Sequence, residues 1–145
     1  MEDEAGFNKQ VRKICQWYHQ AQELPEQDIH LISIHGKTGI QAIERDYPTQ
    51  SAQMTFIQKD ALAYLAAPAS TQFDIVFLDP PFGLGLIAQS IELLDKQLWL
   101  APYAKIYVET ENTLKIDAHI PTNWHSLKHK VAGEVTYRLF ENRSN

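Results

Sequence analysis

The chain has 145 residues, 44% of them hydrophobic and 21% charged, with a formal net charge of −5. That size suits one domain with one core, and the composition is ordinary for a soluble globular protein. No apolar run approaches the roughly 18 residues that cross a bilayer, the acidic start Met1-Glu2-Asp3-Glu4 is unlike a secretory signal, and the lone Cys15 permits neither an internal disulfide nor a cysteine zinc cluster. The expected location is a reducing cytoplasm. The acidic balance argues against a broadly basic grip on nucleic acid, so any such grip needs a local patch, a partner, or sequence outside these residues.

Phe7, Val11, Ile14 and Tyr18 recur at steps of four, three and four, the apolar stripe of an amphipathic helix over about residues 4–23. Leu24-Pro25 ends it, because a residue before proline is biased out of the helical region. Residues 29–34 read as a short buried strand broken by Gly36, residues 38–45 as a brief helix, and residues 46–53 as a polar loop. A strand at 54–57 and a short helix at 60–65 follow. Residues 73–78 are apolar apart from Asp74, as suits a parallel strand covered on both faces. Leu84, Ile87, Ile91, Leu94 and Leu98 mark a helix, and residues 104–108 the next strand. Residues 124–131 and 134–140 alternate about Ala132-Gly133, a two-residue hairpin signal. There is no internal repeat, and residues 1–145 read as one domain. Strands alternating with helices, then a terminal hairpin, predict an α/β sheet that is mostly parallel with an antiparallel edge. Ligands of such sheets sit beyond the carboxyl ends of the strands, where Asp79-Pro80-Pro81-Phe82 follows a central strand.

Those four residues suit one kind of chemistry. Two consecutive prolines fix φ and remove two backbone donors, so the loop is stiff and presents carbonyl acceptors. Asp79 adds a carboxylate acceptor and Phe82 a flat apolar face. An exocyclic amine on a nucleobase offers two N–H donors on a planar ring. Asp79 and the Pro80 carbonyl could hold that amine while Phe82 stacks on the ring, aiming the nitrogen at a reactive methyl donor. Positioning is then the main contribution, and a base inside a helix must first be flipped out or unpaired. The plainer alternative is a proline turn that merely ends a strand.

Asp-Pro-Pro-Phe after a buried strand resembles the catalytic motif of S-adenosylmethionine-dependent, amino-directed nucleic-acid methyltransferases. The stretch 73–99, then Ile106-Tyr107-Val108-Glu109, Asn123-Trp124 and residues 130–140, is similar to the C-terminal half of the RsmD-type 16S ribosomal RNA guanine-N2 methyltransferases. The resemblance covers roughly residues 54–142 and rests on several separated strings in the same order. It implies a Rossmann-like methyltransferase sheet ending in an antiparallel strand, S-adenosylmethionine as cofactor, no metal, and 16S ribosomal RNA of the small subunit or its assembly intermediate as partner, bound by a monomer. It further implies that Asp79, Pro80, Pro81 and Phe82 hold the target base, with Asp79 also beside the cofactor, and that Asp60-Ala61 meet the cofactor's adenine. Asp60 equally suits a helix N-cap. Glu109 ends the next strand at the same edge, where a solvated strand-end charge is the plainer expectation.

The family's glycine-rich cofactor loop has no good copy here. The nearest string is Ile34-His35-Gly36-Lys37-Thr38-Gly39-Ile40, yet the space from Gly39 to Met54 is too short for another strand–helix unit. The better alignment starts the chain later in the fold. Glu2 or Asp3 is then the ribose-binding acid, and residues 25–53 form an insertion or irregular segment. On that reading the sequence is N-terminally truncated and binds cofactor poorly alone. The alternative functions are a DNA or protein amino-group methyltransferase, whose loop commonly begins with Asn where Asp79 stands, and a catalytically silent methyltransferase-fold remnant. His125 and His129 read as surface histidines, and Lys128, Lys130, Arg138 and Arg143 as either a modest basic RNA face or a solvated edge.

Overall fold

The structure is a computed structural model and describes residues 28–35, 40–46, 52–57, 60–80 and 85–144. The elements in chain order are β1 (Asp28–His35), β2 (Ile40–Asp46), β3 (Ala52–Ile57), α1 (Ala61–Ala66), β4 (Phe73–Asp79), α2 (Leu86–Lys96), β5 (Leu100–Glu111), β6 (Trp124–Ala132) and β7 (Val135–Asn142). All seven strands join one sheet in the order β3-β2-β1-β4-β5-β7-β6. The centre is parallel, β1 on β4 and β4 on β5. The flanks are antiparallel, so β2 and β7 run against the other five strands. The sheet is therefore of the expected α/β type with the expected terminal hairpin, but it is mixed rather than mostly parallel: only the two central pairings are parallel, because β2 reverses direction and makes the β3-β2-β1 flank antiparallel as well.

Local differences have local causes. Residues 38–45, read as a helix, contribute instead to β2, which pairs with β1 on one side and β3 on the other. A helix this short cannot repay its nucleation cost, whereas two ladders satisfy the backbone of β2 twice over. Within residues 25–53, read as an insertion or irregular segment, β1 and β2 are integral strands, and β1 lies directly beside β4. The hairpin turn is Gly133-Glu134, one residue later than the sequence suggests; Gly133 has φ 60°, a conformation glycine adopts without steric cost. The helix expected at 4–23 lies outside the described residues.

The main core lies on the face of the sheet that α1 and α2 cover. Ile32, Ile34, Val76, Leu78, Ile106, Val108 and Phe140 meet Leu65, Ile87, Ile91 and Leu94 there. Trp99 ties the layers together at the amino edge of the sheet. Its ring stacks on Tyr64 at 5.1 Å and Phe73 at 5.7 Å, and its Nε1 donates to the Leu65 carbonyl at 2.9 Å. Its backbone N–H donates to Leu94 O, while Leu98 N–H donates to Asp95 O. These two bonds make a Schellman end to α2, with Leu98 in the left-handed position at φ 61°.

Candidate functional site at the carboxyl edge

Strand order reverses between β1 and β4: β2 and β3 continue to one side, β5, β7 and β6 to the other. A crevice opens at such a switch point, outside the carboxyl ends of the two strands. His35 ends β1 and pairs in register with Asp79, which ends β4. Asp79 is half-buried and Pro80 buried. The strand delivers Asp79 there because Ile75, Val76, Phe77 and Leu78 are all at most 2% exposed, leaving β4 no freedom to slide. Pro81 and Phe82 lie outside the described residues, as do Glu2, Asp3 and residues 36–39. Gly85, with a φ of 65°, caps the start of α2 in a left-handed conformation that glycine adopts without steric cost.

Asp60 and Ala61 reach the same edge from the other flank. β3 runs in the direction of β4, so its carboxyl end faces the same way. The two strands lie three spacings apart, about 14 Å. Asp60 is exposed and caps α1: its Oδ1 accepts from Ala63 N–H at 3.0 Å. Ala61 is half-buried against the core. The capping role is thus realised, and it leaves the second carboxylate oxygen able to accept a hydrogen bond.

Glu109 corrects the expectation of a solvated strand end, being only 7% exposed. It lies one step beyond the Leu78–Val108 register pair, level with Asp79, and faces Tyr137 of β7. Tyr107 Oη donates to its Oε1 at 3.3 Å. Phe77, Tyr107 and Tyr137 follow one another across β4, β5 and β7, with centroids 5.7 Å and 6.2 Å apart. Asp79 and Glu109 therefore share a sheet face with an aromatic row, opposite the helix-covered core. The sequence contained the alternation that places them there, but a charge at a strand end looks solvated until the neighbouring strands are known.

Farther along this face Lys105 Nζ meets Glu141 Oε2 at 2.6 Å, and Arg143 Nε meets Glu141 Oε1 at 2.8 Å. Burial pushes the Glu141 carboxyl up, but hydrogen bonds and charge from Lys105 and Arg143 outweigh it and hold the group below its ordinary value. The end of β5 is latched to the hairpin turn: Asn112 Nδ2 donates to Gly133 O at 2.7 Å, and Thr136 Oγ1 to Asn112 Oδ1 at 2.7 Å. His125 and His129 pair with Glu141 and Arg138, which lie on opposite faces of β7, so the two imidazoles do not converge. Among the described residues no three metal-ligating side chains cluster, and no helix is long and apolar enough to cross a membrane.

This sheet, with its proline motif at the switch point, defines a methyltransferase-like α/β fold. It is similar to the crystal structure of a Haemophilus influenzae protein provisionally designated a methylase, with TM-score 0.57 and 45% identity over 61% of this chain and 54% of that one. An Escherichia coli structure provisionally designated a methyltransferase aligns with TM-score 0.54 and 40% identity, over 61% of this chain and 48% of that one. Residues 29–141 match the family described as Conserved hypothetical protein 95, and the chain belongs to that family. Curated relatives carry the name ribosomal RNA small subunit methyltransferase D. The Haemophilus influenzae protein is 45% identical over 93 residues, covering 63% of this chain and 47% of that protein. That of Escherichia coli K12 is 36% identical over 111 residues, covering 77% and 55%. The chain thus spans about half the length of the curated relatives it matches.

Proposed function

We propose that this chain takes part in transfer of a methyl group from S-adenosylmethionine to the exocyclic N2 amine of a guanine in 16S ribosomal RNA, in the cytoplasm and as a monomer. The observation that carries the reading is the position of Asp79: it ends a parallel strand whose apolar residues are all buried, at the point where strand order reverses, in a chain whose relatives are named small-subunit ribosomal RNA methyltransferases. S-adenosylmethionine would supply an electrophilic methyl group. The residues present fit it: Asp60 stands at the same edge with one carboxylate oxygen engaged in the cap and one able to accept from an adenine amine, and Ala61 keeps that turn close to the core. Glu2 or Asp3 would hold the ribose.

Asp79 and the Pro80 carbonyl accept from the two N–H groups of the guanine amine, and Phe82 stacks on the base. Fixing both hydrogens in this way points the nitrogen lone pair at the methyl carbon. Proline at 80 and 81 contributes stiffness, so the acceptors do not have to be ordered when the base arrives. The assay is transfer of labelled methyl from S-adenosylmethionine to small ribosomal subunits lacking the modification, followed by mapping of the methylated nucleotide. Label on N2 of one guanine is the expected result. Label on DNA or protein instead, or none on any substrate while the chain is folded, would sink the proposal.

A further inference from the structure

Methylation of an amine leaves a proton to be removed. As the nitrogen–methyl bond forms, the carbon–sulfur bond of the donor breaks with its electron pair staying on sulfur, and the nitrogen gives up one of its two hydrogens. Asp79, as an acceptor of the target amine, is the first to receive that proton. A carboxylate is a weak base, titrating ordinarily near about 3.9, whereas an imidazole titrates near about 6.5. A proton on an aspartate therefore passes readily to a neighbouring histidine.

The sheet puts a histidine beside this aspartate. His35 is the last residue of β1 and Asp79 the last of β4, and the two positions pair in parallel register. Adjacent strands in a sheet lie about 4.8 Å apart. Ile32, Ile34, Val76 and Leu78 belong to the helix-covered core, so alternation assigns positions 35 and 79 to the opposite face. The other positions of this ladder pair Leu31 with Ile75, Ile32 with Val76, Ser33 with Phe77 and Ile34 with Leu78. Its one pair of titratable residues thus stands at the carboxyl end, where the crevice of a switch point opens.

The flanking strands add few other charges. At this end β2 offers Ile40, Gln41, Ala42 and Ile43, none of them titratable. On the far side of β4, Glu109 is level with Asp79 and accepts from Tyr107. The helices pack on the other face. Lys37, in the connection from β1 to β2, lies outside the described residues.

We propose that His35 and Asp79 form a coupled acid–base pair, in which His35 takes from Asp79 the proton released by the guanine amine and passes it to water. This rests on the reading of Asp79 as an acceptor of that amine. His35 acts through Asp79: its role is to relay the proton, not to hold the base. The relay restores the carboxylate for the next turnover and is open only while the imidazole starts neutral. The rate therefore rises with pH across the range in which His35 titrates.

Two measurements test the pair, the first without cofactor or RNA. In proton NMR of the histidine rings, the His35 signal among the six histidines is the one missing from His35→Gln. Its midpoint should fall by about one pH unit on Asp79→Asn, because a neighbouring carboxylate favours the imidazolium. An unchanged midpoint would refute the pair whatever the chain catalyses. The second measurement is methyl transfer to small ribosomal subunits lacking the modification, as a function of pH. For the unaltered chain kcat should rise about tenfold from one pH unit below the His35 midpoint to one above. His35→Gln should lower kcat about a hundredfold at neutral pH, abolish that rise and leave KM nearly unchanged. Imidazole added to His35→Gly should restore part of the rate. If His35→Gln keeps the kcat and pH profile of the unaltered chain, the relay is refuted while the methyltransferase reading stands. A lower kcat with the rise retained and no rescue by imidazole would make His35 structural and also refute the relay. If the unaltered chain transfers no methyl group, both readings fail.

Discussion

Alternate residues of β5 enter two different environments. Ala104, Ile106 and Val108 join the apolar core under the helices, whereas Lys105, Tyr107 and Glu109 point to the opposite face. The two sets differ little in exposure: Ile106 and Val108 are 0% exposed, Lys105 8% and Glu109 7%. Burial of Ile106 and Val108 is favourable on its own account. Burial of Lys105 and Glu109 costs free energy unless each charge is partnered, so this face needs Glu141 and Tyr107 where the other needs only shape. Both faces bury apolar side chains, since Ile75 and Phe77 on the second face are 0% and 2% exposed. Only the second also maintains buried polar groups beside Asp79, at a cost that the apolar face does not carry.

The largest expected effect breaks the apolar side. Trp99→Ala removes a ring that is 2% exposed and contacts both helices' layer and β4. It should lower stability by about 3–5 kcal/mol, read from the denaturant midpoint. A loss below about 1 kcal/mol would mean that the helix-covered face is not where stability resides. Next comes the chemistry on the other face. Asp79→Ala should cut methyl transfer about a hundredfold or more through lost positioning, with the unfolding midpoint nearly unchanged. A large midpoint shift with proportionate activity loss would make Asp79 a structural residue instead.

Glu141→Gln sharpens the cost of the polar face. The carboxyl titrates lower in the folded chain than in the unfolded one. Its contribution is therefore complete above the unfolded value of about 4.3 and is lost as pH falls through the lowered folded value. The substitution should reduce stability by about 2 kcal/mol at neutral pH, and the two stability curves should converge in acid. Parallel curves down to acid pH would remove Glu141 from the account. The smallest effect concerns the turn between α2 and β5. Leu98 is 69% exposed and held at φ 61°. Leu98→Gly should raise stability by about 0.5–1 kcal/mol, because relief of left-handed strain exceeds the added freedom of the unfolded chain. A thermal melt that falls instead would place an unrecognised contact at Leu98.

The readable parts of the sequence were those whose pattern is set by the nearest neighbours. β4 was legible because a strand covered on both faces must be apolar almost throughout, and α2 because Ile87, Ile91 and Leu94 recur at helical spacing. Asp60 was legible as a cap for the same reason: the bond to Ala63 N–H is three residues long. β2 was not, since its strand state depends on ladders to β1 and β3, and in isolation the segment has no pattern that favours either state. The burial of Glu109 depends on β4 and β7 lying beside it. A bulge at Leu127 in β6 leaves no trace in composition, yet it resets which residues of that strand share a face. The proline motif announced a site, while its company along the sheet edge came from pairing between residues far apart in sequence.

Trp99 and Trp124 are both buried, and both sit where β5 and β6 begin, at the amino edge of the sheet. Their rings touch Tyr64, Phe73 and Phe140. The carboxyl edge with Asp79 is at the other end of the same strands. As fluorophores these two indoles are thus good reporters of the integrity of the domain and poor reporters of what binds to it. An emission shift from them during titration with cofactor or RNA would signal a rearrangement transmitted along the strands, not a ligand arriving next to the rings.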